Sequence, residues 1–249
     1  MSGHSKWSTI KRKKGAADAK RSKIFSRIVK EITIAVREGG NDPDSNPSLR
    51  LAVNNAKGVN MPKDNVERAI SKADSEGDNL EHSAFEGYAP NGVAVFVDCL
   101  SDNNNRTVSN IRAIFTKYGG SLGKNGSLSF IFDTKGIFTI AKDKIKDIDE
   151  FELEIIDAGA EDIEVEEDIV TITTAMEDFG SLQKKLDELN IEPENAALQR
   201  IPNNTKELDV ESALKVMKMI DVFEENDDVQ NVYHNLEFTD ELAKAMDEE

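Results

Sequence analysis

Ten lysines and arginines, Lys6, Lys11, Arg12, Lys13, Lys14, Lys20, Arg21, Lys23, Arg27 and Lys30, stand in the first thirty residues, where Asp18 is the sole acid. Clustered cations of this kind neutralise phosphates and release counterions, which is the chemistry of nucleic-acid binding. A merely solvated helix face would intersperse acids among them. Lys20, Lys23, Arg27 and Lys30 recur at three- and four-residue spacing, so on a helix they form one ridge opposite an apolar stripe. Trp7 sits among the cations. It is suited to stack on an unpaired base, a use worth about 1–3 kcal/mol per base, and its other reading is a ring folded back on neighbouring helices. His4, Lys6, Trp7 and the cations from Lys11 to Lys30 form the candidate contact set, joined by Arg106, which opens a helix after the polar run Asp102–Asn105. A guanidinium at a helix start makes an anion site, although Asn and Asp there also serve as ordinary caps.

Other chemistry is weaker. The run Tyr118 to Ser127 is rich in glycine and contains Gly123-Lys124. A phosphate-binding loop needs a glycine five residues before that pair and a hydroxyl residue just after it, whereas Tyr118 and Asn125 hold those places and the loop follows a helix. It reads as a structural turn, with backbone contact to RNA as the second reading. His4, His82 and His234 are scattered singly and no Cys or His spacing resembles a zinc or haem site, so no metal or cofactor is expected. The acids of 161–168 and 240–249 read as solvated faces. Glu86 and Asp98, on adjacent predicted strands, could line an acidic cavity for a cation. No nucleophile-and-base set emerges, which points to a binder and not an enzyme. Cys99, the only cysteine, lies in the apolar run Val93–Leu100 and is expected as a small buried hydrophobe.

Charge is sorted along the chain. Residues 1–72 hold sixteen basic and seven acidic residues, or +9, and the remainder holds fifteen and forty-one, or −26. The acidic body is repelled by nucleic acid and would orient a bound molecule. The length of 249 residues suggests two or three domains, and 32% charged with 6% aromatic residues fits an α+β or helix-rich protein. No apolar run reaches the roughly eighteen residues a membrane helix needs, and the basic start is not followed by an apolar h-region or cleavage site. A cytoplasmic location is expected, with nucleic acid as partner and neither membrane nor small-molecule substrate.

The elements that must carry these residues follow from periodicity. Ile24, Phe25, Ile28, Val29, Ile32, Ala35 and Val36 predict a helix from Asp18 that stops at Gly39-Gly40. Asn46-Pro47 predicts a second helix with Leu49, Ala52, Val53 and Ala56 inward, and Pro62 opens a third with Val66, Ala69, Ile70 and Ala73. Residues 84–88 and 92–101 read as strands, 107–118 as a helix, and 128–132 as a further strand. The order β 136–141, α 148–158, β 162–166, β 169–174, α 179–189, β 196–201 is the split βαβ, ferredoxin-like arrangement. A helix at 210–224 and a strand at 229–238 lack partners of their own and are expected to return to the sheet begun at Ala84. The predicted class is α+β: an N-terminal three-helix bundle (1–78), a discontinuous α+β domain (79–133 with 206–249), and a ferredoxin-like domain inserted in it (134–205).

Together, Gly3-His4-Ser5-Lys6-Trp7, the run Ile10 to Lys20 (IKRKKGAADAK), Val59-Asn60-Met61-Pro62-Lys63-Asp64-Asn65, the run Asp102 to Thr107, the glycine-rich run from Tyr118 and Asn231-Val232-Tyr233-His234-Asn235 span the chain. In combination they resemble the YebC family, which includes the mitochondrial translational activator of cytochrome c oxidase subunit I. One departure is Tyr88-Ala89-Pro90, where the family pattern is Tyr-Gly-Pro, and it bears on the geometry of that turn. The resemblance implies a three-domain, cytoplasmic, non-enzymatic protein. Family members are described as probable transcriptional regulators that bind DNA, and others act on the ribosome, promoting synthesis of proline-rich stretches. An arm with a stacking tryptophan and no helix-turn-helix signature suits irregular RNA or backbone contacts better than base reading in the major groove.

Overall fold

A computed structural model of the protein describes residues 18–75 and 79–247. Three helices come first: α1 (Asp18–Gly39), α2 (Pro47–Gly58) and α3 (Lys63–Ser75). The apolar stripe of α1 buries Ile28, Ile32, Ala35 and Val36 against Leu49, Ala52 and Ala56 of α2 and Val66, Ala69 and Ala73 of α3. Helix α1 stops where expected, with Gly40 at φ +88° and its amide donating to Val36 O at 2.8 Å. Asn46 joins the first two helices. Its side-chain oxygen caps α2 by accepting from the Leu49 amide at 3.1 Å, while its amide nitrogen donates to the carbonyls of Ala35 at 2.7 Å and Gly40 at 2.8 Å. One buried side chain thus satisfies backbone groups at the end of α1 and the start of α2.

The remaining elements are β1 (Glu81–Tyr88), β2 (Ala94–Ser101), α4 (Asn104–Lys117), β3 (Ser121–Leu122), β4 (Phe132–Ala141), α5 (Ile148–Asp157), β5 (Ala160–Val165), β6 (Ile169–Ala175), α6 (Phe179–Glu188), β7 (Asn195–Pro202), α7 (Val210–Glu225), β8 (Val229–His234) and α8 (Asp240–Asp247). They build two four-stranded sheets, in the orders β3-β1-β2-β8 and β5-β6-β4-β7. The second order, with antiparallel β4–β6 and β5–β6 pairs, is that of the ferredoxin-like βαββαβ unit. Its period-2 strands turn Phe138, Ile140, Val170, Ile172 and Ala196 toward Phe151, Ile155, Leu182 and Leu186 of the two helices.

Two compact units result, one holding residues 24–75 with 134–200, the other 79–133 with 201–247 and the start of α1 through Lys23. Within the first, Asn55 of α2 brackets the β7 backbone, accepting from the Ala196 amide at 2.9 Å and donating to the Ala196 carbonyl at 3.1 Å. The close approach continues at Gly58, where a Cβ would stand 1.7 Å from the Glu194 carbonyl oxygen. In the second unit, Val93, Val95, Val97 and Cys99 face Ile111 and Phe115 of α4 and Val216, Met217, Ile220 and Phe223 of α7. The Phe115 and Phe223 rings meet edge to face with centroids 4.9 Å apart. On the opposite face, Ala94, Phe96 and Tyr233 pack with Leu128 and Phe132. Strand β8 pairs antiparallel with β2, so the chain does return to the sheet begun at β1.

Two expectations need correction. Residues 128–131 form turns and not a strand, with β4 starting at Phe132. Leu128 is fully buried there without extending, because the Ile131 amide donates back to Leu128 O at 2.9 Å. The tail read as a solvated acidic face contains α8, whose Leu242, Ala243 and Met246 pack on the first sheet's core. Its acids Asp240 and Glu241 fall in the first turn, where the helix dipole favours them. The Tyr88-Ala89-Pro90 departure is accommodated because Ala89 is extended, at φ −72° and ψ 172°, and the left-handed residues of that turn are Asn91 and Gly92.

Candidate nucleic-acid interface

Of the residues marked out by the sequence, His4, Lys6, Trp7, Lys11, Arg12, Lys13 and Lys14 lie outside the described residues, as does the side chain of Lys20. Arg21, Lys23, Arg27 and Lys30 all fall on α1. Arg21 is exposed and the other three are half-buried. Lys23 has a protein carboxylate beside it: its Nζ lies 2.8 Å from Asp227 Oδ1 and also donates to the Glu225 carbonyl at the end of α7. Asp227 is itself almost fully exposed, so the pair is a surface contact of small energy, about 0–1 kcal/mol, that a phosphate could displace.

Arg106 is placed differently. Asn103 caps α4 by accepting from the Arg106 amide at 3.1 Å, which fixes the side chain at the mouth of the helix. The guanidinium then forks onto Asp228, with Nη2 at 2.9 Å from Oδ1 and Nε at 3.3 Å from Oδ2, and reaches Asp102 at 2.8 Å. The Thr107 hydroxyl donates to the same Asp228 carboxylate at 2.9 Å. Asp228 is nearly buried, and burial pushes its carboxyl up, but the bonds from Arg106, Thr107 and Ser101 outweigh that and hold it below the ordinary carboxylate range. The carboxylates raise the Arg106 guanidinium further. The anion at this helix start is therefore one the protein supplies. Sequence reasoning missed Asp228 because it sits in an acid-rich run, 122 residues away from its partner.

The glycine-rich turn is held from below by Glu86. Its buried carboxylate accepts from the Gly126 amide at 2.7 Å and the Leu128 amide at 2.6 Å, and its backbone carbonyl accepts from the Gly123 amide at 2.7 Å. Cross-strand register puts Asp98 opposite Ala84, on the same face as Glu86, yet the Glu86 oxygens are directed at loop amides. Among the described residues no group of three or more His, Cys, Asp or Glu side chains is arranged to hold a metal ion. Cys99 is buried in the β2 core.

Family comparison covers nearly the whole chain. Residues 5–76 match the TACO1/YebC protein N-terminal domain, and residues 80–236 match the TACO1/YebC second and third domain. The chain belongs to the YebC family. A relative from Amoebophilus asiaticus, called "Probable transcriptional regulatory protein", is 54% identical over 240 residues, covering 95% of this chain and 98% of its own. A relative of the same name from Thermotoga maritima is 47% identical over 250 residues, covering 100% and 97%. The crystal structure of a conserved hypothetical protein from Aquifex aeolicus matches with a TM-score of 0.78 and 41% identity, over 90% of this chain and 93% of that one. The fold read here is thus that of a YebC protein. No helix among the described residues is long and apolar enough to cross a membrane.

Proposed function

We propose that this YebC protein is a non-enzymatic, nucleic-acid-binding regulatory protein of the cytoplasm that acts on transcription by binding DNA. The segregation of charge carries this reading: +9 over residues 1–72 against −26 over the rest. The name shared by its relatives agrees with it. Phosphate contact by Lys11, Arg12, Lys13 and Lys14, with Lys20, Arg21, Lys23, Arg27 and Lys30 continuing along α1, supplies affinity, and Trp7 stacks on a base where one is unpaired.

A second reading, in which the same cations bind ribosomal RNA in translation, is favoured by one observation. Trp7 stands among the cations and the basic region carries no helix-turn-helix signature, which suits irregular RNA or backbone contacts better than base reading in the major groove. Replacing Lys11, Arg12, Lys13 and Lys14 together by alanine tests both readings. Because each neutralised phosphate adds about 0.7–0.9 to the slope of log affinity against log salt, that slope should fall by about 3 on duplex DNA or on ribosomal RNA. An unchanged slope on both would overturn the phosphate reading. Crosslinking in cells then separates promoter DNA from ribosomal RNA.

A further inference from the structure

Strand β8 ends the first sheet, in the order β3-β1-β2-β8, and among the described residues no strand pairs with its outer side. An open edge presents unpaired amides and carbonyls, and natural folds cover it or charge it. This edge is also irregular. Cys99 stands opposite Val229 and Asp98 opposite Asn231, so Gln230 is an extra residue in a bulge. Its side chain is buried, at 6% exposure, and neither its nitrogen nor its oxygen has a hydrogen-bond partner. A buried carboxamide left in that state is a polar group the edge has not satisfied.

The approach to that edge is acidic. Asp221, Glu224 and Glu225 stand at helical i, i+3, i+4 spacing at the end of α7, and Asp227 follows just before β8. Asp221, Glu225 and Asp227 are exposed and Glu224 is half-buried. One cation is already seated there, since Lys23 Nζ lies 2.8 Å from Asp227 Oδ1 and also donates to the Glu225 carbonyl. That contact puts the exit of the basic arm beside β8. Lys23 belongs to the same compact unit as β8, and α1 begins at Asp18, about 8 Å of helix away. Residues 1–17 hold Lys6, Lys11, Arg12, Lys13 and Lys14 and no acid. Extended, they reach at most about 55 Å, against roughly 20 Å for the length of β8.

We infer that, without nucleic acid, residues 1–17 lie back along the open edge of β8, with their cations on the carboxylates of Asp221, Glu224, Glu225 and Asp227. Nucleic-acid phosphates compete for the same cations, so the acidic end of α7 restrains the arm until a polyanion replaces it. This rests on the nucleic-acid reading above and adds a restraint on it from within the chain. The tether decides the occupant: a segment joined to the fold within a few residues of the site has an effective concentration in the millimolar range, which a second copy or another protein does not reach.

The test uses the full chain and digestion by a trace of trypsin at low salt, with cleavage after Lys11, Arg12, Lys13 and Lys14 followed by mass spectrometry. Cleavage of a segment that opens and closes rapidly tracks its open population. The variant Asp221→Asn, Glu224→Gln, Glu225→Gln, Asp227→Asn should speed cleavage about tenfold, because several weak surface pairs are lost together. The variant Glu150→Gln, Asp162→Asn, Glu167→Gln, Glu177→Gln makes the same charge change at exposed acids or a neighbouring turn of the other compact unit, and should cleave as the parent does. Asp227→Asn alone, at a residue almost fully exposed, should speed cleavage about twofold and decides the matter if the first variant melts early. In fluorescence anisotropy the first variant should bind a fluorescein-labelled DNA duplex about tenfold more tightly than the second. Equal cleavage rates throughout would refute the docking, and a rate that rises on dilution would assign the arm to a second copy and overturn it too. Faster cleavage with unchanged DNA affinity would overturn the competition. If cleavage responds as expected and the parent binds no DNA, the docking stands and it is the nucleic-acid reading that falls.

Discussion

Glu86→Ala should unseat the glycine-rich turn, and its cost can be worked from two bonds. The carboxylate accepts from the Gly126 and Leu128 amides at 2.7 and 2.6 Å, and the Leu128 side chain that follows is fully buried. A backbone amide bonded to a charged acceptor contributes about 1.5–3 kcal/mol net, and an orphaned buried donor keeps its full desolvation penalty. Against this, alanine relieves the cost of holding a carboxylate in a nearly buried position. The balance is a loss of about 3 kcal/mol, which at a urea slope of about 3 kcal/mol per M moves the unfolding midpoint down by roughly 1 M. Glu86→Gln keeps one acceptor but turns an NH2 toward the other amide, so at least half of the loss should remain. Equilibrium urea unfolding gives the energy, and hydrogen exchange at the Leu128 and Gly126 amides places it. A Glu86→Ala protein within about 0.5 kcal/mol of the parent, with Leu128 exchange unchanged, would refute the clasp.

Two further outcomes follow from the geometry. Asp228 is held below the ordinary carboxylate value, so the folded state binds fewer protons there than the unfolded chain, and its contribution is present at neutral pH and lost as pH falls below about 4 toward the folded value. The urea midpoint of Asp228→Asn should therefore drop less than the parent's between pH 7 and pH 3, and an identical drop would show that Asp228 is not a source of acid sensitivity. Gly58→Ala would place a Cβ 1.7 Å from the Glu194 carbonyl oxygen, forcing α2 off β7 at a net cost of about 1–3 kcal/mol despite alanine's better helix propensity. Calorimetry showing a melting temperature at or above the parent's would contradict that close approach.

What the sequence made legible was local. The three-helix region could be read because a 3.6-residue apolar period and its punctuation, Gly40 and Asn46-Pro47, lie within a few residues of each other, and the structure uses those residues as stop and cap. The ferredoxin-like unit was legible because its strands alternate and its helices keep their own stripe. What was missed depends on distant partners. The apolar run 128–132 has the composition of a strand, and bonds from distant residues, the Glu86 carboxylate some forty residues earlier and Asn203 some seventy later, help hold it as a turn. Arg106 looked like an open anion site until Asp228 filled it. In α8 three apolar residues among acids gave too short a period to outweigh the charge, although Leu242 is buried.

The same distinction between local and global governs the charge argument. Screening at physiological salt confines a charge's influence to about 8 Å, so the −26 of the body repels a polyanion where its acids come close and leaves the cations at the front able to hold one. What decides contact is the composition of each patch a few residues across. A chain of strongly negative total charge can therefore carry a cationic surface, provided acids are excluded from it, and the front of the chain meets that condition in sequence. Raising salt weakens the ionic part of binding there, while stacking by an aromatic ring persists. Affinity that survives at high salt would then come from a ring and not from lysines, which makes Trp7, set among the cations, the residue whose replacement by alanine should remove it.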